Sequence, residues 1–183
     1  MSRDVHLLRE ARCLAARQPR STAWKMASGI REQIIGLKCI GAAMQSIEET
    51  IEHTKKRMVF GSSLATNQAV SFGIAEDVTH LELARLQCYR VLWMRDNDVP
   101  CQDLGAMVKW YAPKMAANAV HRCLRLHGHY GYSTDLPHQQ RLRDIIGWQI
   151  GDGSEEVMKL LIARSRFGRD VFNTPMRHET AEK

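Results

Sequence analysis

Three short stretches hold side chains whose types and spacing could do chemistry. Asp152 lies between Gly151 and Gly153, two residues ahead of Ser154. A carboxylate on such a turn can take a proton from carbon, or simply cap a turn at a helix start. Arg57 follows Lys55 and Lys56. Its guanidinium can donate two parallel hydrogen bonds to a phosphate; a solvated basic helix end is the plainer reading. His127-Gly128-His129 sets two imidazoles around a glycine. Two histidines with no third ligand nearby fall short of a metal site, so no metal is assigned.

These residues need elements to hold them, and the apolar periodicity supplies helices. Ile30, Ile34, Leu37, Ile40, Met44, Ile47 and Ile51 recur at steps of four and three, predicting one long amphipathic helix to about Met58. A second helix is expected from Asn67 to Asp96. Val70, Ile74, Val78, Leu81, Cys88 and Leu92 form one stripe on it, and Phe72, Ala75, Leu86, Tyr89 and Trp93 a second. Two apolar faces predict a helix covered on both sides, near the middle of a bundle. Asn97-Asp98-Val99-Pro100 breaks it.

A third helix, about Gln102 to Leu126, contains Pro113, which should bend it. His127 to Tyr132 reads as a loop. Pro137 opens a fourth helix through Ile150, and Ser154 caps a fifth with Glu155 and Glu156 in its first turn. No strand is expected. The fold class is all-α, an antiparallel bundle of four to five helices. The chain divides into a basic leader (1–25), a helical domain (26–172) and a tail (173–183).

Composition narrows the partners. The net charge is +6, but residues 1–25 carry six basic against two acidic side chains, leaving the rest nearly balanced. A nucleic-acid-binding face would carry its excess on the folded surface, so nucleic acid is not an expected partner. No run approaches a membrane span and no apolar signal core opens the chain, which points away from a membrane and from secretion. Five widely spaced cysteines without a CxxC pair read as reduced intracellular thiols. A cytoplasmic setting is expected, or the mitochondrial matrix if the Arg-rich leader is a transit peptide.

Several segments, in order, resemble the C-terminal helical domain of the flavin-dependent acyl-CoA dehydrogenases. Arg57-Met58-Val59-Phe60-Gly61 with Gln68 is similar to the family's R-x-x-F-G…Q signature. Leu81-Glu82-Leu83-Ala84-Arg85 and Lys109-Trp110-Tyr111-Ala112 match two further helical patterns. Leu126-His127-Gly128-His129-Tyr130-Gly131-Tyr132 with Pro137 resembles its glycine loop. Arg143-Asp144 and Ile150-Gly151-Asp152-Gly153-Ser154 stand in place of R-D…I-Y-E-G-T/S. The resemblance runs from about Ile30 to Phe172 and covers only the last third of a usual member.

The resemblance implies α,β-dehydrogenation of an acyl-CoA thioester with FAD, shared with another chain or a missing β-domain. Asp152 stands where the family's usual catalytic glutamate does, one methylene shorter. An alternative base in the family comes from the first helix, here at Arg31, with Glu32 beside it. Arg57, Phe60 and Gln68 correspond to positions facing the dinucleotide of a neighbouring subunit. Arg125, Gly128 and His129 fall on the loop near its adenosine end, with His129 replacing a second glycine. Ser154 and Glu156 are implied cofactor contacts, and Gly153 a substrate contact. The implied partners are acyl-CoA and a homo-oligomer, or a hetero-oligomer with a β-domain-bearing relative. The alternative reading is a non-catalytic helical interaction subunit or an inactive fragment of the family.

Overall fold

The computed structural model describes residues 23–168 and 170–172; the expected tail and nearly all of the expected leader lie outside the described residues. Five long helices and one short one make up the fold. They are α1 (Ala23–Lys56), α2 (Gln68–Asp96), α3 (Gln102–Leu126), α4 (His129–Tyr132), α5 (His138–Ile150) and α6 (Glu155–Phe167). Single 3-10 turns cover Leu64–Thr66 and Asp170–Phe172.

Four expected features change. α1 starts earlier than Ile30, and the loop after Leu126 contains the single turn α4. A two-residue antiparallel ladder, Met58–Val59 against Ser62–Ser63, appears where no strand was expected. Phe60 and Gly61 join it with φ of +52° and +83°. Two consecutive left-handed residues make the primed turn whose twist suits a tight hairpin. At the start of α6, Ser154 stands at the cap position, but its hydroxyl makes no capping bond to the helix backbone.

The core explains the placement. Gly36 of α1 is a point of closest approach. A Cβ there would lie 3.0 Å from Val108 of α3 and 3.1 Å from the sulfur of Cys88 of α2. Packing this close needs small residues, and α3 supplies Ala106, Ala112, Ala116, Ala117 and Ala119, all buried. α3 is therefore the central helix, touching α1, α2, α5 and α6. α2, expected in the middle, buries only its first stripe. Phe72, Leu86, Tyr89 and Trp93 of the second stripe stay exposed.

The buried face of α1 is also displaced. Ile34 is exposed, whereas Ile35, Cys39, Ala43, Ser46, Thr50 and Thr54 are buried. The last three return their hydroxyls to carbonyls of their own helix, such as Thr50 to Ser46 at 2.7 Å, so their burial strands no donor. An apolar tally cannot mark a face built from small and self-satisfied residues.

α1 and α3 run in the same direction, which gives the bundle two distinct ends. The C-terminal ends of both lie together, joined by the stacked rings of His53 and His127, with centroids 4.1 Å apart. Their N-terminal portions meet at the other end, where Gly105 of α3 approaches the side chains of Glu32 and Gln33. Lys109 and Gly128 mark these ends on α3, and at 1.5 Å per residue they are roughly 28 Å apart.

Candidate active site

The loop joining α5 to α6 carries Asp152. Its φ is +55°, left-handed for a residue with a Cβ, and Gly153 follows at +104°. Left-handed backbone costs about 1 kcal/mol or more outside glycine, with Asp and Asn the best-tolerated exceptions. At its φ Gly153 would strain any side chain, and a Cβ there would sit 2.7 Å from the terminal methyl of Met158, which is buried and would have to shift. The Asp152 carboxyl is about half exposed and lies 3.9 Å from the guanidinium of Arg31.

Beneath this loop is a charged residue that the sequence reading noted only as part of a motif. Lys109 is 1% exposed. Its Nζ donates to the Trp148 carbonyl at 2.8 Å and to the Gly153 carbonyl at 3.2 Å. Burial pulls its ammonium below the usual lysine range, while Asp152, Cys39 and Glu32 act in the opposite direction. Glu32 of α1, half-buried beside Gly105 of α3, has its carboxyl raised to about 7. Burial is the main cause, opposed by Lys109 and Arg31 and assisted by Asp152. The fold thus gathers Arg31 and Glu32 of α1, Lys109 of α3 and Asp152 of the loop, from two helices and a loop. Lys109 could have been found as the lone charge on the α3 face bearing Gly105, Ala106, Val108, Ala112 and Ala116.

α6 is fastened to α3 near this site. Glu155 pairs with Lys114 at 2.9 Å and with Lys159, and both lysines lie over the Trp110 ring. Glu156 is exposed, its carboxyl held low by its own backbone amide and by the Ser154 hydroxyl. Ser154 and Gly153 are half-buried beside Asp152.

The other end holds the remaining predicted residues. Arg57 is exposed and makes no ion pair among the described residues. Phe60 is fully exposed on its hairpin, and Gln68 is exposed at the first turn of α2. Arg125, Gly128 and His129 are exposed where α3 ends. Gly128 has φ +64°, and a Cβ on it would meet nothing within 4 Å. A free guanidinium, an aromatic ring on a rigid turn and open glycine backbone suit an extended anionic ligand with a planar ring.

Three histidines knit this end together, two of them absent from the sequence reading. His53 stacks on His127, and His138 lies tilted against His127, with the second pair of centroids 4.4 Å apart. Burial lowers the buried His138 to about 4, helped by His127, Arg141 and His53 and opposed by Glu49. His53 is lowered in the same direction. Among the described residues no group of three or more His, Cys, Asp or Glu forms a metal site. No described helix is long and apolar enough to cross a membrane.

A central small-residue helix, a glycine loop at one end and a carboxylate-bearing turn at the other define a class: the C-terminal helical domain of flavin-dependent acyl-CoA dehydrogenases. The sequence profile of that domain matches residues 20–167, and the chain belongs to the acyl-CoA dehydrogenase family. An acyl-CoA dehydrogenase of Bacillus subtilis is 31% identical over 134 residues, 73% of this chain and 35% of its own length. The human mitochondrial short-chain specific acyl-CoA dehydrogenase is 30% identical over 129 residues, 70% of this chain and 31% of its own. Acyl-CoA dehydrogenase from Geobacillus kaustophilus superposes with a TM-score of 0.71 at 29% identity, covering 74% of this chain and 36% of that one. The chain spans about a third of the length of the curated relatives it matches.

Proposed function

We propose that this chain supplies the C-terminal helical part of an FAD-dependent acyl-CoA dehydrogenase and works with a flavin-binding β-domain carried elsewhere. The observation that carries the reading is the division of its predicted residues between two bundle ends. A span of roughly 28 Å suits two different cofactor sites better than one. Asp152 faces the reacting carbons of one site, while Arg57, Phe60, Gln68, Arg125, Gly128 and His129 face the dinucleotide of a neighbour. Bound FAD supplies the acceptor for the hydride that leaves the β-carbon. Asp152 takes the α-proton, with Gly153 as the neighbouring contact to the substrate. Ser154 and Glu156 lie on the cofactor side of the same turn. Arg57 holds phosphate through its paired donors, and Phe60 lies against the dinucleotide. The setting is cytoplasmic or the mitochondrial matrix.

The exposed stripe of Phe72, Leu86, Tyr89 and Trp93 supports a homo-oligomer, or a hetero-oligomer with a β-domain-bearing relative. It equally supports a non-catalytic interaction subunit, the second reading. Purified alone, the chain should be colourless and inactive, since most of the dinucleotide's burial would come from elsewhere. Mixed with a flavin-bearing relative, it should co-elute and restore flavin reduction by acyl-CoA in stopped flow. Co-elution with no reduction by any acyl-CoA favours the interaction subunit; a yellow stoichiometric flavoprotein from the chain alone overturns the shared-cofactor reading.

A further inference from the structure

Burying an ammonium is costly unless the surroundings return strong hydrogen bonds and charge. A methionine would fill nearly the volume of Lys109 without that cost. What the lysine gains is specific: the carbonyls of Trp148 and Gly153, and two carboxyl groups close enough to act on its charge.

The two carbonyls stand at informative places. Trp148 is in the last turn of α5, where carbonyls lose their helical partners. The Gly147 carbonyl is met by the Gly151 amide at 2.9 Å, and the next one, Trp148, by Lys109. A cation there also opposes the negative end of the helix. The Gly153 carbonyl directly precedes the Ser154 cap of α6. Lys109 therefore ties the end of α5 to the start of α6, and the short bridge between the ties is Gly151-Asp152. That bridge holds left-handed backbone at Asp152, a conformation that persists outside glycine only when its surroundings enforce it.

We propose that Lys109 is the positioning residue of the proton-transfer end, its buried ammonium clamping the carbonyls on either side of Asp152 and so fixing where that carboxyl is presented. The proposal rests on Asp152 as proton acceptor for its purpose, but the clamp itself is a property of this chain. Glu32, Asp152, Arg31 and Cys39 are the titratable or charged groups around it, and Glu32 reports its charge.

The test uses the isotopically labelled 183-residue chain and its Lys109→Met and Lys109→Arg variants. In the parent, NMR should show scalar coupling from Lys109 Nζ to the carbonyl carbons of Trp148 and Gly153; its absence overturns the clamp. In Lys109→Met, the amides of Gly151, Asp152 and Gly153 should shift and exchange about tenfold faster, with Ala112 to Val120 unmoved. The Glu32 titration midpoint should rise by about one pH unit, as expected on losing a nearby opposite charge. Lys109→Arg should return that midpoint towards the parent's. Unmoved loop amides in a folded Lys109→Met chain overturn the proposal. If that variant does not fold, the parent's coupling decides.

The activity arm separates this proposal from the one beneath it. With a flavin-bearing partner, Lys109→Met should slow flavin reduction about tenfold or more with little change in KM, because the base is misplaced and binding is not. Reduction at the parent rate overturns the clamp's functional role. A parent that never reduces flavin, yet shows the couplings, removes Asp152 as base and leaves the clamp standing.

Discussion

At the Gly128 end of α3, charge stands in water: Arg57 and Arg125 are exposed, while half-buried His53 and His127 stack and buried His138 lies tilted against His127. At the Lys109 end, charge is taken inside, with an ammonium and a carboxyl half or fully withdrawn from solvent beneath a strained turn. The first arrangement suits binding, since exposed cations meet a ligand without disturbing the fold. The second suits proton chemistry, which needs groups whose affinity for protons is set by their surroundings. One helix connects two ends built on different physical terms.

The sharpest way to break this comparison is at Asp152. Asp152→Asn keeps size and tolerance of left-handed backbone but removes basicity. In an assembly completed with a flavin-bearing partner, stopped-flow flavin reduction should fall about a hundredfold. The fold should be unaffected, because the exposed pair with Arg31 contributes little. Reduction at the parent rate would make Asp152 a turn residue and move attention to Glu32.

The two ends should also oppose each other as pH falls from 7 to 5. His138 is held near 4 in the fold against an ordinary 6.5, so the unfolded chain binds the proton first and stability drops. Glu32 is held near 7 against 4.5, so the folded chain binds the proton first and stability rises. Each effect is on the order of 2 kcal/mol and they nearly cancel. Urea unfolding should show Glu32→Gln losing stability on acidification and His138→Gln gaining it. Parallel pH profiles for the two variants would refute the opposition.

Smaller effects belong to the exposed end. Arg57→Ala should weaken dinucleotide retention in the completed assembly about tenfold, with stability unchanged within about 0.5 kcal/mol. Fluorescence titration with FAD and a thermal melt check the two halves. Phe60→Gly should stabilise the hairpin by up to about 1 kcal/mol, since glycine adopts its φ of +52° without strain. A melting temperature below the parent's would mean that Phe60 packs against something the isolated fold does not include.

The sequence by itself determined the helical class and the bounds of α3, because strong 3.6-residue periodicity is a local property, and its short motifs offered candidates such as Asp152 and Arg57. It also marked the second stripe of α2 as apolar, though only the fold shows that this chain leaves it uncovered. The tertiary structure alone decided which helix is central. Alanines in α3 and back-bonded Ser46, Thr50 and Thr54 in α1 are inconspicuous on a hydropathy scale, yet they permit the closest packing. It also decided the company of each charge. Glu32, Lys109 and Asp152 are far apart in sequence, and their proton affinities depend on distance and burial, which exist only once the helices have packed.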